Sequence, residues 1–151
     1  MAESSDVLKQ AIAASLNLLS YREHCRQELK LKLAQRGFCA EIASSAIEYC
    51  ITQGWLDEAR YTECWIRSRA AKGFGPSRIR SELGAKGIDR ALVEEQLNLS
   101  ECDWFELAVK ACHKKLSHQE TGSLSREQKL KLTRFLVGRG FSLEQARAAI
   151  E

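Results

Sequence analysis

The sequence predicts an all-α fold of three tandem, helix-turn-helix-like three-helix repeats, on three observations. First, the stretches "ELKLKLAQRGF", "RIRSELGAKGI" and "RFLVGRGF" superpose. Each places leucine four residues before glycine, a cation directly before it and Phe or Ile directly after, at Leu33/Arg36/Gly37/Phe38, Leu83/Lys86/Gly87/Ile88 and Leu136/Arg139/Gly140/Phe141. The glycines stand 50 and 53 residues apart. Second, Leu29/Leu33, Ile79/Leu83 and Leu132/Leu136 are i,i+4 pairs on one helical face, and a glycine after such a pair suits the left-handed position that ends a helix. Third, valine is scarce and alternating β-branched runs are absent, so no strand competes.

Taken in order, the first repeat, 1–54, holds helices near 6–19, 20–36 and 40–53, with Ser20-x-x-Glu23 as the capping box of the second and Gly37 at its end. The second repeat, 55–99, holds helices at 57–72, 76–86 and 89–98. Asp57 and Asp89 serve as N-caps, Gly73 and Gly87 as helix ends, and Pro76 suits the first turn of its helix because its missing N–H would be unpaired there anyway. Gly73, Gly75 and Pro76 together read as a hinge. The third repeat, 100–151, holds helices at 100–116, 125–139 and 142–151, capped by Ser125-x-x-Gln128 and Ser142-x-x-Gln145, with Gly140 between the last two. Gly84 and Gly138 fall inside helices, each costing up to ~1 kcal/mol relative to alanine. A unit of this size has a small core, so neighbouring units are expected to lean on one another, and the aromatic residues Tyr61, Trp65, Trp104 and Phe105 are assigned to core or inter-unit packing. Trp55 has the weakest structural reason.

Composition excludes several classes. The chain has 151 residues, 44% of them apolar, enough for a core, and its longest apolar stretch is too short to span a bilayer. The N-terminus lacks the pattern of a secretory signal, so a cytoplasmic protein without membrane contact is expected. Six cysteines, Cys25, Cys39, Cys50, Cys64, Cys102 and Cys112, never fall into C-x-x-C. The His24–Cys25 and Cys112–His113 neighbours point about 100° apart on a helix, which makes them poor joint ligands, so the thiols read as small buried hydrophobes and no metal or cofactor is expected. His24, His113 and His118 are scattered, with no Ser/His/Asp order and no carboxylate pair suited to acid–base work; an enzyme is not expected.

The net charge of +3 is modest, but its distribution is not. From Arg67 to Arg90, seven cations face only Glu82 and Asp89, a local net of +5. The stretch "KGFGPSRIR" lies between two helices and lacks the Gly-Lys-Ser/Thr ending of a Walker loop, so it is no nucleotide site. Arg60 and Arg67 share a helical face, Arg69 and Lys72 flank it, and Arg78 and Arg80 lie in a first helical turn, where they oppose the helix dipole. A solvated face pairing with Glu63 and Glu82 is the plain reading. Phosphate or a carboxylate-rich protein is the functional one.

"GWLDEARYTECWIRSRAAKGFGPSRIRSELGAKGI", Gly54 to Ile88, resembles the signature of the RecX family of regulators of the bacterial RecA recombinase, and "REHCRQELKLKL" and "KLKLTRFLVGRGF" resemble its outer units. Asp57–Glu58 stands where the family commonly has two aspartates. The resemblance implies three tandem units in a curved, elongated array. It implies binding in the groove of the RecA–DNA filament and restraint of RecA's ATP hydrolysis, strand exchange and coprotease role, with weak, sequence-independent DNA binding besides. Arg60, Arg67, Arg69, Lys72, Arg78, Arg80 and Lys86 are then the expected contacts with the filament, and a monomer is expected. The competing reading is a helical DNA-binding protein that acts without RecA; it predicts sequence preference and similar affinity for bare DNA and filament.

Overall fold

The computed structural model describes residues 2–117 and 123–151. All regular structure among them is helical: α1 Ala2–Tyr21, α2 Arg26–Gln35, α3 Ala40–Thr52, α4 Glu58–Ala71, α5 Pro76–Ala85, α6 Arg90–Leu99, α7 Trp104–Leu116, α8 Arg126–Gly138 and α9 Leu143–Ile150. Helix packs on helix within α1–α3, within α4–α6 and within α7–α9. Each trio encloses its own apolar cluster. Leu29, Leu33 and Ile47 centre the first, Ile66, Ile79 and Leu83 the second, and Leu132, Leu136 and Phe141 the third. The i,i+4 pairs therefore lie at the middle of each unit, all of them buried. His118 lies outside the described residues.

The caps are set by local chemistry. The Asp57 carboxylate accepts from the Ala59 and Arg60 N–H groups at 2.9 and 3.2 Å, and Asp89 accepts from Ala91. Ser125 with Gln128, and Ser142 with Gln145, form reciprocal capping boxes. Gly37, Gly73, Gly87 and Gly140 have φ of +92°, +87°, +77° and +105°, the left-handed turn that ends α2, α4, α5 and α8. Gly84 and Gly138 are helical, with open space where a side chain would stand.

Besides the start of α1, at Ala2 rather than near 6, two boundaries differ from the sequence reading. Ser20 caps nothing: α1 runs through it to Tyr21, and its hydroxyl donates back to the Asn17 carbonyl. The break comes instead at Arg22 to Cys25, because His24 and Cys25 are buried and cannot stay on a solvent-facing helix. Cys25 is the N-cap of α2, with Glu28 reaching back to its N–H at 3.3 Å. Likewise α7 opens at Trp104 with Asp103 as its cap, while Ser100 closes α6. Trp55 now has a place: it packs on the first cluster, edge-on to Tyr49 at 5.7 Å.

The units are joined by the repeated turn itself. Gly75, N-cap of α5, donates its N–H to the Arg139 carbonyl at 2.8 Å, and Ser77 donates to the Gly140 carbonyl at 3.0 Å. A Cβ on Gly75 would overlap the backbone of Gly140 and Phe141, and one on Gly140 would overlap Arg78. The hinge reading of Gly75 is thus replaced: its smallness serves a close backbone crossing between the second and third units rather than freedom to bend. Fifty residues earlier, Cys25 makes the same approach to the turn of the second unit. Its side chain is buried in that unit's cluster, its thiol meets the Lys86 carbonyl at 3.7 Å, and the Arg26 N–H donates to Glu58. Trp104 packs on both the second and third clusters.

Candidate functional site

Five of the seven cations singled out in the sequence are arginines already in ion pairs, and they look in different directions. Arg60 pairs with Glu23 of the α1–α2 connection and donates to the Gly54 and Trp55 carbonyls, which fixes the second unit on the first. Arg67 is 72% exposed and approaches Glu63 one turn back at 3.4 Å. Arg80 forks onto Glu94 of α6. Exposed pairs such as those of Arg67 and Arg80 contribute little to stability and leave the guanidinium open to another anion.

Arg69 and Arg78 do come together. Arg69 forks onto Glu82, with its Nε 2.9 Å from Oε1, and Arg78 approaches the same carboxylate at 3.7 Å. Between them lies Phe74. Its ring carries three guanidiniums, Arg69 at 3.9 Å, Arg139 at 4.0 Å and Arg78 at 4.4 Å from the centroid. Such contacts each contribute roughly 0.5–1 kcal/mol at partly exposed sites. Lys86 and Arg69 meet Trp65 in the same way, at 4.7 and 5.7 Å, and the Trp65 indole donates to Glu82. Arg69, Arg78, Arg139 and Lys86 thus form one cationic surface around Phe74 and Trp65 with Glu82 at its centre.

Arg139 is a residue that sequence reasoning passed over, having counted it only as a mark of the repeat. Its guanidinium donates to the Lys72 carbonyl at 2.8 Å and to that of Gly73 at 3.3 Å, so a side chain of the third unit closes the C-terminus of α4. Burial, then the charges of Arg78 and Arg69, lower its pKa from the usual arginine value. Its carbonyl meanwhile receives Gly75.

A second cationic surface was also missed. Between the end of α4 and the helices α7 and α8 runs a groove of about 360 Å³ whose walls carry Lys72, Lys110, Lys114, Lys115 and Arg139 beside Phe135. No carboxylate lines it among the described residues. Its sequence signal is weak, since Lys110 and Lys114 are only an i,i+4 pair in a balanced segment.

At the other junction, His24 is buried with both ring nitrogens engaged. Nδ1 lies 3.0 Å from the Arg22 carbonyl and Nε2 lies 2.8 Å from the Lys32 ammonium. A carbonyl only accepts and an ammonium only donates, so the ring is the neutral Nδ1–H tautomer. Burial is the main cause that lowers its pKa. Burial also raises the thiol pKa of Cys25, Cys50 and Cys112, which leaves these cysteines as packing groups. No group of three or more His, Cys, Asp or Glu side chains suited to a metal ion occurs among the described residues.

Three small helical units, welded through their turns and presenting cations around the half-buried rings of Phe74 and Trp65, define an array of tandem three-helix repeats. Its relatives place it further. The family models for the first, second and third three-helix domains of RecX match residues 11–50, 57–97 and 101–150 in order. The chain is 40% identical over 138 residues to the regulatory protein RecX of Vibrio vulnificus (strain CMCP6), covering 90% of this chain and 88% of that one. It is 43% identical over 131 residues to that of Pseudomonas entomophila (strain L48), covering 86% and 83%. The crystal structure of RecX from Lactobacillus salivarius superposes with a TM-score of 0.80 at 26% identity, over 99% of this chain and 96% of that one. The chain belongs to the RecX family.

Proposed function

We propose that this protein binds the RecA–DNA filament and restrains RecA's ATP hydrolysis, strand exchange and coprotease activity, with Arg60, Arg67, Arg69, Lys72, Arg78, Arg80 and Lys86 among its contacts. The observation that carries the reading is the ordered match of all three RecX domain models along one chain. The ion pairs of Arg67, Arg78 and Arg80 are exposed and exchangeable for carboxylates of a protein partner. Weak, sequence-independent contact with DNA adds to that binding. The protein acts as a cytoplasmic monomer and performs no chemistry itself: a bound protein shifts a filament between states by its differential affinity for them.

The test is ATP hydrolysis by preformed RecA filaments on single-stranded DNA, with the protein titrated in and the double variant Arg67→Glu/Arg78→Glu beside it. Hydrolysis is expected to fall at protein levels well below RecA, and the variant is expected to lose that effect while keeping its helical circular dichroism. No effect of the unaltered protein at stoichiometric excess overturns the reading. An undiminished effect of the variant overturns the assignment of the contact face.

A further inference from the structure

We infer that the groove between the second and third units, at Lys72, Lys110, Lys114, Lys115 and Arg139, is a binding track for the phosphate backbone of a single DNA strand. This rests on the DNA contact proposed above and not on the contact with RecA.

The first ground is charge. Every arginine of the α4–α5 surface has a carboxylate partner within 4.0 Å, as Arg60, Arg67, Arg69, Arg78 and Arg80 all do. The four lysines of the groove have none among the described residues, nor does any carboxylate line it. Helix-dipole compensation accounts for Lys114 and Lys115, which lie in the last turn of α7. It does not account for Lys110, or for the convergence of these cations with Lys72 from another unit.

The second ground is the chemistry of the donors. Lys110 and Lys114 are separated by one helical turn, about 6 Å along the axis. Lysine ammoniums are compact point charges on flexible stems, suited to a row of singly charged phosphates rather than to the planar carboxylates that arginine forks select. Arg139 contributes its charge while its N–H groups remain on the Lys72 and Gly73 carbonyls. Small side chains, Ala70, Ala71 and Ala111, and Gly73 line the groove and leave room for a backbone to lie close.

The third ground sets the strand number. On the other side of Leu107, a groove of about 580 Å³ is lined by four carboxylates, Glu63, Glu101, Asp103 and Glu106, against two cations, Lys110 at the shared edge and Arg67, which already pairs with Glu63. A duplex laid on the lysines would bring its second row of phosphates against these carboxylates. A single strand can follow Lys110 toward Lys115 and avoid them.

The experiment measures binding of a labelled 20-nucleotide oligodeoxythymidylate to the full chain without RecA, across a salt series. Lys110→Gln/Lys114→Gln is compared with Lys9→Gln/Lys30→Gln, which removes the same charge from the first unit. The groove variant is expected to bind at least about fivefold more weakly. The slope of log affinity against log salt is expected to fall by about 0.7 for each phosphate that is no longer neutralised, about 1.4 for two. The first-unit variant is expected to keep the slope. Equal weakening in the two variants overturns the site. So does competition by poly-glutamate at matched charge as effective as that by unlabelled strand, and duplex binding as tight as single-strand binding overturns the strand assignment. Absence of any binding by the unaltered chain removes the DNA contact altogether, whereas binding that survives in the groove variant removes only this site. Neither result bears on the filament hydrolysis assay.

Discussion

The N–H of Gly75 donates to the carbonyl of Arg139 at 2.8 Å, across 64 residues of chain, and no side chain fits between the two strands of backbone. Gly75→Ala forces them apart. The variant is expected to lose about 2 kcal/mol of stability, as overpacked sites commonly do. Urea unfolding followed by circular dichroism checks it, and an unchanged midpoint would show that the crossing is not tight.

Gly84 and Gly138 make the opposite case. Both are helical, and nothing stands within 4 Å of the position a Cβ would take. Alanine at either is expected to stabilise the protein by up to ~1 kcal/mol through helix propensity. A fall in the thermal midpoint would mean that the bare backbone at these positions serves an unrecognised contact.

His24 is expected to be neutral throughout the physiological range, with its proton on Nδ1. Nitrogen chemical shifts of the imidazole distinguish this tautomer from the Nε2–H form. Because burial lowers its pKa below the usual 6.5, folding is favoured while the ring is neutral in both states. That contribution is present in full above pH ~6.5 and is lost progressively as pH falls below the unfolded value through the lower folded one. Replacing His24 by a residue that does not titrate is expected to flatten the stability profile between pH 7 and 5, whatever it costs at neutral pH.

Burial alone would raise the Glu28 carboxyl, but the Arg22 guanidinium at 2.9 Å and the Cys25 N–H outweigh it and hold the pKa at about 2. A depressed carboxyl stabilises the fold above its unfolded value, about 4.3, and the contribution disappears as pH falls toward 2. Glu28→Gln keeps the reach back to Cys25. It is expected to lower stability at pH 7 by about 2 kcal/mol and to remove the acid-labile step between pH 5 and 2, read from denaturation midpoints.

Much of the architecture was legible because it is local. The i,i+4 pairs, the caps at Asp57, Asp89, Ser125 and Ser142 and the cation–glycine–apolar turn are fixed by residues within a few positions of one another, and these recur in the structure. The same turn's second use was not legible. Nothing near Gly140 in sequence shows that Gly75 will lie on it, so a close approach between distant segments looked like local freedom. Ser20 misled for a related reason: its capping pattern is sound, but the burial of His24 and Cys25 against a different unit decides where the helix breaks. The cations were counted correctly and grouped less well. Spacing on α4 and α5 placed Arg60, Arg67 and Arg80 with Arg69 and Arg78, whereas Arg60 is drawn to Glu23 of the α1–α2 connection, Arg80 to Glu94 of α6 and Arg67 to Glu63 of its own helix. Lys110, Lys114 and Lys115 stood outside the basic segment, and only the fold carries them to Lys72.

Beside the side chains of Arg139 and Trp104, the joint between the second and third units has a part made main chain to main chain, through Gly75, Ser77, Arg139 and Gly140. Peptide groups do not change when residues are exchanged. Side chains on the outer faces can therefore drift, and with them the preference for one partner over another, while the distance and angle between those faces stay the same. The pitch of the molecule is inherited separately from its chemistry, as the spacing of a ruler is independent of the ink used to mark it.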